Sequence, residues 1–70
     1  MNPQLFKLIR QAAGYTQSSL AAAIGVSPTL ICLIEKGEKR ITARIEKRFR
    51  DIVGVTPEKE MAVNALLDNV

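Results

Sequence analysis

The stretch that decides the fold is residues 16–37, which read TQSSLAAAIGVSPTLICLIEKG. Thr16 and Ser27 are residue types whose side-chain oxygen accepts hydrogen bonds from the free N–H groups at a helix start. Gly25 and Gly37 stand where the two apolar runs end, and glycine commonly closes helices at such positions. The stretch therefore predicts two short helices joined by a tight turn.

The turn is short enough to press the two helices together, because only residues 25–27 separate them. Such contact requires small side chains on the first of the two helices, and three alanines supply them: Ala21, Ala22 and Ala23. Three apolar residues should fill the angle from the other side: Val26, Ile31 and Ile34. The N-terminal half of the second helix then projects from the body and fits the major groove of B-DNA, although an ordinary helical hairpin is the alternative.

Helix signals also flank this stretch, so that five helices are predicted in all. The first follows Asn2 as its cap and ends at Gly14. Its predicted buried stripe is Leu5, Leu8, Ile9 and Ala12. The fourth follows Thr42 and ends at Gly54, with one apolar face. That face is Ile45, Phe49 and Ile52.

The fifth predicted helix, about residues 57–69, follows Thr56 as its cap and carries more apolar surface than one buried stripe needs. Its stripe is Met61, Ala65 and Leu66, and the residues that widen it are Val63, Leu67 and Val70. The excess surface has two interpretations, which are packing against the first helix and contact between two copies of the chain.

A chain of 70 residues is predicted to form a single domain, residues 1–70, because so short a polymer builds only one core. Cys32 is the only cysteine and histidine is absent, which excludes an internal disulfide and the usual zinc sites. No cofactor, small-molecule ligand or membrane contact is indicated, and the lone thiol favours a cytoplasmic location. With no histidine, phosphate loop or metal-spaced carboxylates, no enzyme is predicted.

Charge is distributed unevenly along the chain. Residues 36–50 hold seven basic and two acidic side chains, a local net charge of +5, whereas residues 51–70 carry a net charge of −3. A basic segment beside an acidic one suggests an oriented contact with a polyanion. The alternative is a solvated helix face without function.

Several short motifs share the order and spacing of one known family. They are Leu8-Ile9-Arg10, Gly14-Tyr15-Thr16-Gln17, Leu20-Ala21, Ile24-Gly25-Val26-Ser27, Ile31 through Ile34-Glu35-Lys36-Gly37, and Gly54-Val55-Thr56-Pro57. In these motifs the chain resembles the phage repressor and Cro-like (XRE-type) helix-turn-helix proteins over about residues 5–57. The resemblance implies an all-α, compact five-helix lambda-repressor-like DNA-binding domain, in which the second and third helices form the helix-turn-helix.

The resemblance also implies roles for particular residues. Arg10 and Glu35 would form a structural salt bridge, and Gln17 would contact a phosphate. The residues facing the bases would be Ser27, Pro28, Thr29, Cys32 and Leu33. The remaining phosphate contacts would come from Lys36, Lys39, Arg40 and Arg44. No side chain on the base-facing side makes the two-point hydrogen bonds that identify guanine or adenine, so readout should be modest and directed at thymine.

Taken together, the sequence predicts a small transcriptional regulator of the repressor or Cro type that binds double-stranded DNA as a homodimer. The alternative is a helix-turn-helix scaffold that binds a protein, such as an antagonist of a related repressor. Three apolar residues motivate that alternative: Leu30, Cys32 and Leu33.

Overall fold

The computed structural model describes residues 1–54 and 57–68, and the helices cover most of them. The five helices are α1 (Pro3–Ala12), α2 (Gln17–Ile24), α3 (Pro28–Glu35), α4 (Ala43–Val53) and α5 (Pro57–Asp68). The all-α, five-helix prediction is confirmed. The predicted cap Thr56, the last residue of the predicted fifth helix and Val70 lie outside the described residues.

Four of the five helices begin with the cap that the sequence predicts. In each case the side-chain oxygen accepts a hydrogen bond from the backbone N–H three residues later, which satisfies one of the free donors of the first turn. The pairs are Asn2 with Leu5 at 2.7 Å, Thr16 with Ser19 at 2.9 Å, Ser27 with Leu30 at 3.2 Å and Thr42 with Ile45 at 3.2 Å.

The core lies where α1, α2, α3 and α4 meet. Its centre is an aromatic pair, because the rings of Phe6 and Phe49 stack with their centroids 4.2 Å apart and join α1 to α4. The buried apolar residues are Leu5, Phe6, Ile9, Leu20, Ala21, Ile24, Ile31, Ile34, Ile45 and Phe49. Each of these four helices thus contributes at least two side chains to one core.

The structure corrects two details of the predicted packing. On α1 the buried side is turned toward Phe6, while Leu8 and Ala12 are exposed. At the contact between α2 and α3 only Ala21 is buried, and Ala22 and Ala23 face outward. The reason is rotational: residues one and two positions apart on a helix point in different directions, so one close contact uses one of three consecutive alanines.

The fourth and fifth helices each bury less than their apolar content suggests. Ile52 on α4 is only half-buried at the edge of the core. The helix α5 packs through Val63 and Leu67, whereas Met61 is 71% exposed and Leu66 is 66% exposed. The predicted stripe of α5 is therefore its outer side, and two of the residues expected only to widen that stripe, Val63 and Leu67, make the core contact.

Among the described residues, no single helix is long and apolar enough to cross a membrane. The bent pair α2 and α3 has enough length and apolar character to do so only when the two helices are counted together.

Candidate nucleic-acid interface

The joint between α2 and α3 is a sharp turn of the chain. The helix axis changes direction by 114° between them, within the range of about 90–120° typical of a helix followed by a short turn and a second helix. Gly25 adopts a left-handed conformation with φ +90°, which a residue with a Cβ rarely adopts. The N–H groups of Gly25 and Val26 both donate to the carbonyl of Ala21, at 2.8 and 2.9 Å.

A side chain from α4 reinforces this joint. Arg48 donates from Nη1 to the backbone carbonyl of Ile24 at 2.7 Å, at the C-terminal end of α2. A cation there satisfies a free carbonyl and lies at the negative end of the helix dipole. One member of the basic segment is therefore engaged in holding the helix-turn-helix.

The outward side of α3 is defined by what its other side buries. Ile31 and Ile34 are fully buried, and Leu30 packs against the core. The opposite side presents Thr29, which is exposed, together with Cys32 and Leu33, which are half-buried. We call these three residues the outward face of α3. Ser27 and Pro28 are exposed at its N-terminal edge, and the Ser27 hydroxyl also caps the helix.

The loop after α3 is held against the end of that helix. The carbonyl of Leu33 accepts hydrogen bonds from the N–H groups of Glu38, at 2.9 Å, and Lys39, at 3.3 Å. Gly37 has φ +78° and donates to the carbonyl of Ile34 at 3.0 Å. These bonds fix the loop relative to the outward face.

The four cations expected at phosphates are all exposed: Lys36, Lys39, Arg40 and Arg44. The first three belong to the loop, and Arg44 lies in the first turn of α4. Together with the predicted base-facing residues, they lie within one continuous segment of the chain, residues 27–44.

Arg10 and Glu35 form a buried ion pair that joins α1 to α3. Arg10 donates from Nε to one carboxylate oxygen of Glu35 at 2.7 Å and from Nη2 to the other at 3.0 Å. Its third nitrogen, Nη1, donates to the carbonyl of Tyr15 at 2.8 Å. The two side chains are 8% and 4% exposed, so both charges are largely withdrawn from water. Among the described residues, no buried side-chain nitrogen or oxygen lacks a hydrogen-bond partner.

Gln17 lies at the start of α2, half-buried beside this pair. Its amide Nε2 donates to Glu35 at 3.2 Å. The sequence predicts that Gln17 contacts a phosphate, but it does not predict this bond to Glu35. Because an amide nitrogen has two N–H donors, one remains for an incoming acceptor while the other holds Glu35.

A second cluster of charged side chains, which the sequence analysis did not predict, joins α4 to α5. Arg50 donates to both carboxylate oxygens of Glu60, at 2.8 and 2.9 Å, and more weakly to Glu46 at 3.4 Å. Glu46 also accepts from the N-terminal ammonium of Met1 at 3.4 Å. The spacing of Glu46 and Arg50 on one helix indicates their contact, but the pairing with Glu60 depends on where α5 lies.

This cluster shifts two ionisations in the directions expected for an ion pair. The hydrogen bonds from Arg50 lower the pKa of Glu60 below its ordinary value of 4.5, with a smaller effect of the positive charges nearby and partial opposition from burial. The same hydrogen bonds raise the pKa of Arg50. Each group stabilises the charged form of the other.

Two helices crossing at a tight turn, with the second exposed along one side and bordered by cations, define a helix-turn-helix protein. The comparison with protein families agrees, since the family model described as Helix-turn-helix matches residues 6–59, which is most of the chain. The chain belongs to this family, the XRE or Cro/C1 type, and is a DNA-binding helix-turn-helix regulator. Comparison with curated proteins and with solved structures finds no match.

Proposed function

We propose that this protein is a sequence-specific transcriptional regulator of the repressor or Cro type. It binds double-stranded DNA as a homodimer, with the outward face of α3 in the major groove and residues 36–44 along the phosphates. The observation that carries the proposal is the hydrogen bonding of the cationic loop to the carbonyl of Leu33. It supports a single surface in which base-reading and phosphate-binding groups keep a fixed spacing.

The exposed side of α5 and the size of the molecule support a dimer. Met61 and Leu66 are large apolar residues that the monomer leaves mostly uncovered, and a patch of this kind suits a self-complementary contact. The molecule measures 31 × 23 × 22 Å. Two copies side by side therefore suit recognition helices separated by one turn of B-DNA, about 34 Å.

Selection from a randomised duplex pool at moderate salt tests the proposal directly. Wild type should enrich a defined motif, and Lys39→Ala combined with Arg40→Ala should lose that enrichment because two phosphate contacts disappear. Lys7→Ala is the matched control, since it removes an exposed cation from α1 on another part of the molecule. Absence of enrichment at any salt concentration would contradict DNA recognition and favour a protein partner for α3.

The salt dependence of affinity provides a quantitative version of the same test. If about four to six phosphates are neutralised per subunit, log affinity should fall against log salt with a slope of about −0.9 per contact. The double variant should make that slope shallower, by the equivalent of about two contacts. Lys7→Ala should leave the slope unchanged. A flat dependence for wild type contradicts the proposed docking.

A further inference from the structure

The outward face of α3 offers unusual chemistry to a DNA groove. It consists of one hydroxyl from Thr29, one thiol from Cys32 and one branched alkyl group from Leu33. The strongest discrimination between bases comes from two-point hydrogen bonds, made by arginine or lysine to guanine and by asparagine or glutamine to adenine. No member of this face makes such a pair, because none carries a forked set of donors and acceptors.

The major groove itself exposes one kind of apolar group. Thymine presents its O4 acceptor and its C5-methyl group, whereas cytosine presents only the N4 donor at the corresponding edge. Leu33 is partly solvent-accessible beside Cys32, so burial of a methyl group against them removes apolar surface of both partners from water. The methyl group is thus the feature of a base edge that this face fits best.

The strongest hydrogen-bonding group of the face, the Thr29 hydroxyl, does not separate the two methylated pyrimidines. The Thr29 hydroxyl both donates and accepts hydrogen bonds, so it pairs with O4 of thymine or with the N4 amino group of 5-methylcytosine. Resting on the function proposed above, we propose that α3 recognises the C5-methyl group of pyrimidines, and that 5-methylcytosine is bound as a substitute for thymine. The modification state of cytosine then affects binding.

Charge identifies duplex DNA, rather than a protein, as the occupant of this face. The backbone carbonyl of Leu33 holds the N–H of Lys39, and the neighbouring side chains of Lys36 and Arg40 are exposed. A partner that contacts Leu33 therefore lies close to the backbone of a loop whose cations outnumber its one carboxylate, Glu38. Duplex DNA places methyl groups in a groove bordered by phosphates, which matches this combination.

The test is made first on the DNA, where protein folding plays no part. In the duplex enriched from the randomised pool, each thymine is replaced in turn by deoxyuracil, which lacks only the methyl group. Affinity should fall about fourfold for each methyl group that is contacted, the value expected for burial of one methyl-sized apolar group. At the same positions, a cytosine variant should regain about fourfold when the cytosine carries a C5-methyl group.

Protein variants then assign the effect to the outward face. Leu33→Ala should bring the affinity ratio of thymine to deoxyuracil duplexes toward one, and Cys32→Ala should lower it in part. Neither residue belongs to the buried core, and circular dichroism verifies that both variants fold. Lys36→Ala is the control, because loss of a phosphate contact should weaken both duplexes equally and leave the ratio unchanged.

The possible outcomes separate this proposal from the function on which it rests. Equal affinity for thymine and deoxyuracil duplexes, with steep salt dependence retained, would overturn methyl recognition and leave DNA binding intact. An unchanged ratio in both Leu33→Ala and Cys32→Ala would likewise overturn it. If no duplex is enriched at any salt concentration, both proposals fail.

Discussion

Arg10 is a charge placed where water barely reaches, and its three hydrogen bonds explain how the fold accommodates it. The residue is 6% exposed, and its guanidinium nitrogens are shared between Glu35 and the carbonyl of Tyr15. A buried pair of this kind adds little net stability by itself, but loss of one partner leaves a desolvated charge. The position therefore tolerates replacement of both partners better than replacement of one.

We expect Arg10→Ala to lower the free energy of unfolding by about 3–5 kcal/mol, because Glu35 loses its partner in a region of low dielectric. Urea unfolding followed by circular dichroism measures the change. Lys7→Ala, on the exposed side of the same helix, is the control and should change stability by less than about 0.5 kcal/mol. The combined Arg10→Met and Glu35→Met variant should recover much of the loss. Equal melting temperatures for Arg10→Ala and wild type would contradict this account.

Individual residues also mark what the sequence could and could not predict. Caps such as Thr16 and Ser27 act within one helical turn, so the sequence alone located them. The burial of Phe6 depends on Phe49 of another helix, and the first helix offered a rival stripe through Leu8. The signal available in the sequence was the size and scarcity of the aromatic residues, because large side chains favour the core and the chain has only three aromatic ones.

At the scale of elements, the loop after α3 depends on a single backbone conformation. Gly37 has φ +78°, and a Cβ added there would meet only Pro3 Cγ at an ordinary distance of 3.8 Å. The cost of a side chain at this position is therefore backbone strain rather than collision. Because the loop carries the cations proposed to bind phosphates, we expect that strain to affect the proposed interface.

We expect Gly37→Ala to destabilise the protein by about 1–2 kcal/mol, the cost of a left-handed conformation for a residue with a Cβ. Gly37→Asn should cost less, because asparagine tolerates this region. Thermal unfolding ranks the three proteins, with the glycine form the most stable. A Gly37→Ala variant that melts at the wild-type temperature would show that the loop readily adopts another conformation.

The contact between α4 and α5 should weaken in acid. The pKa of Glu60 is lowered by its hydrogen bonds to Arg50, so the stabilisation is complete above the unfolded-state value near 4.5 and is lost as pH falls through the lower folded-state pKa. We expect Glu60→Gln to cost less than about 1 kcal/mol at neutral pH, since the pair is partly exposed. The difference in free energy of unfolding between wild type and Glu60→Gln should shrink toward zero in acid.

Urea unfolding at about pH 7 and about pH 3 measures this effect for wild type and Glu60→Gln. Glu58→Gln is the control, since it neutralises an exposed carboxylate on the same helix. A difference between wild type and Glu60→Gln that stays constant with pH would contradict the assigned role of the pair.

The arginines of α4 show why charge patterns in a sequence only partly locate an interface. The segment 36–50 reads as one basic run, yet Arg48 holds the carbonyl of Ile24 and Arg50 pairs with Glu60. Periodicity predicts that some of these side chains face away from DNA. The partner of each one follows only from the packing of helices that are distant in sequence.

At the scale of the whole molecule, two exposed surfaces have different proposed partners: the cationic loop and the apolar side of α5. The first surface is proposed to meet DNA and the second to meet a second copy. The proposed homodimer therefore links affinity to protein concentration, because a single subunit has only half of the phosphate contacts.

We expect Leu66→Glu to prevent dimer formation and to weaken binding to the enriched duplex, because a charge would be buried in an apolar contact. Leu66 is 66% exposed in the monomer, so the fold should remain intact. Sedimentation velocity measures the oligomeric state. Asn64→Glu adds the same charge at a polar position of the same helix and is the control. A wild-type protein that sediments as a monomer at all concentrations would exclude the homodimer.

The outward face of α3 also has a consequence for how this protein changes over generations. Thr29, Cys32 and Leu33 lie outside the buried core, so under the proposed docking we expect exchanges there to alter recognition more than folding. These three positions should therefore tolerate more substitutions than Ile31 and Ile34, which are fully buried on the same helix. A library randomised at the three positions should yield many folded proteins with new operator preferences, which makes this small chain a favourable starting point for retargeting.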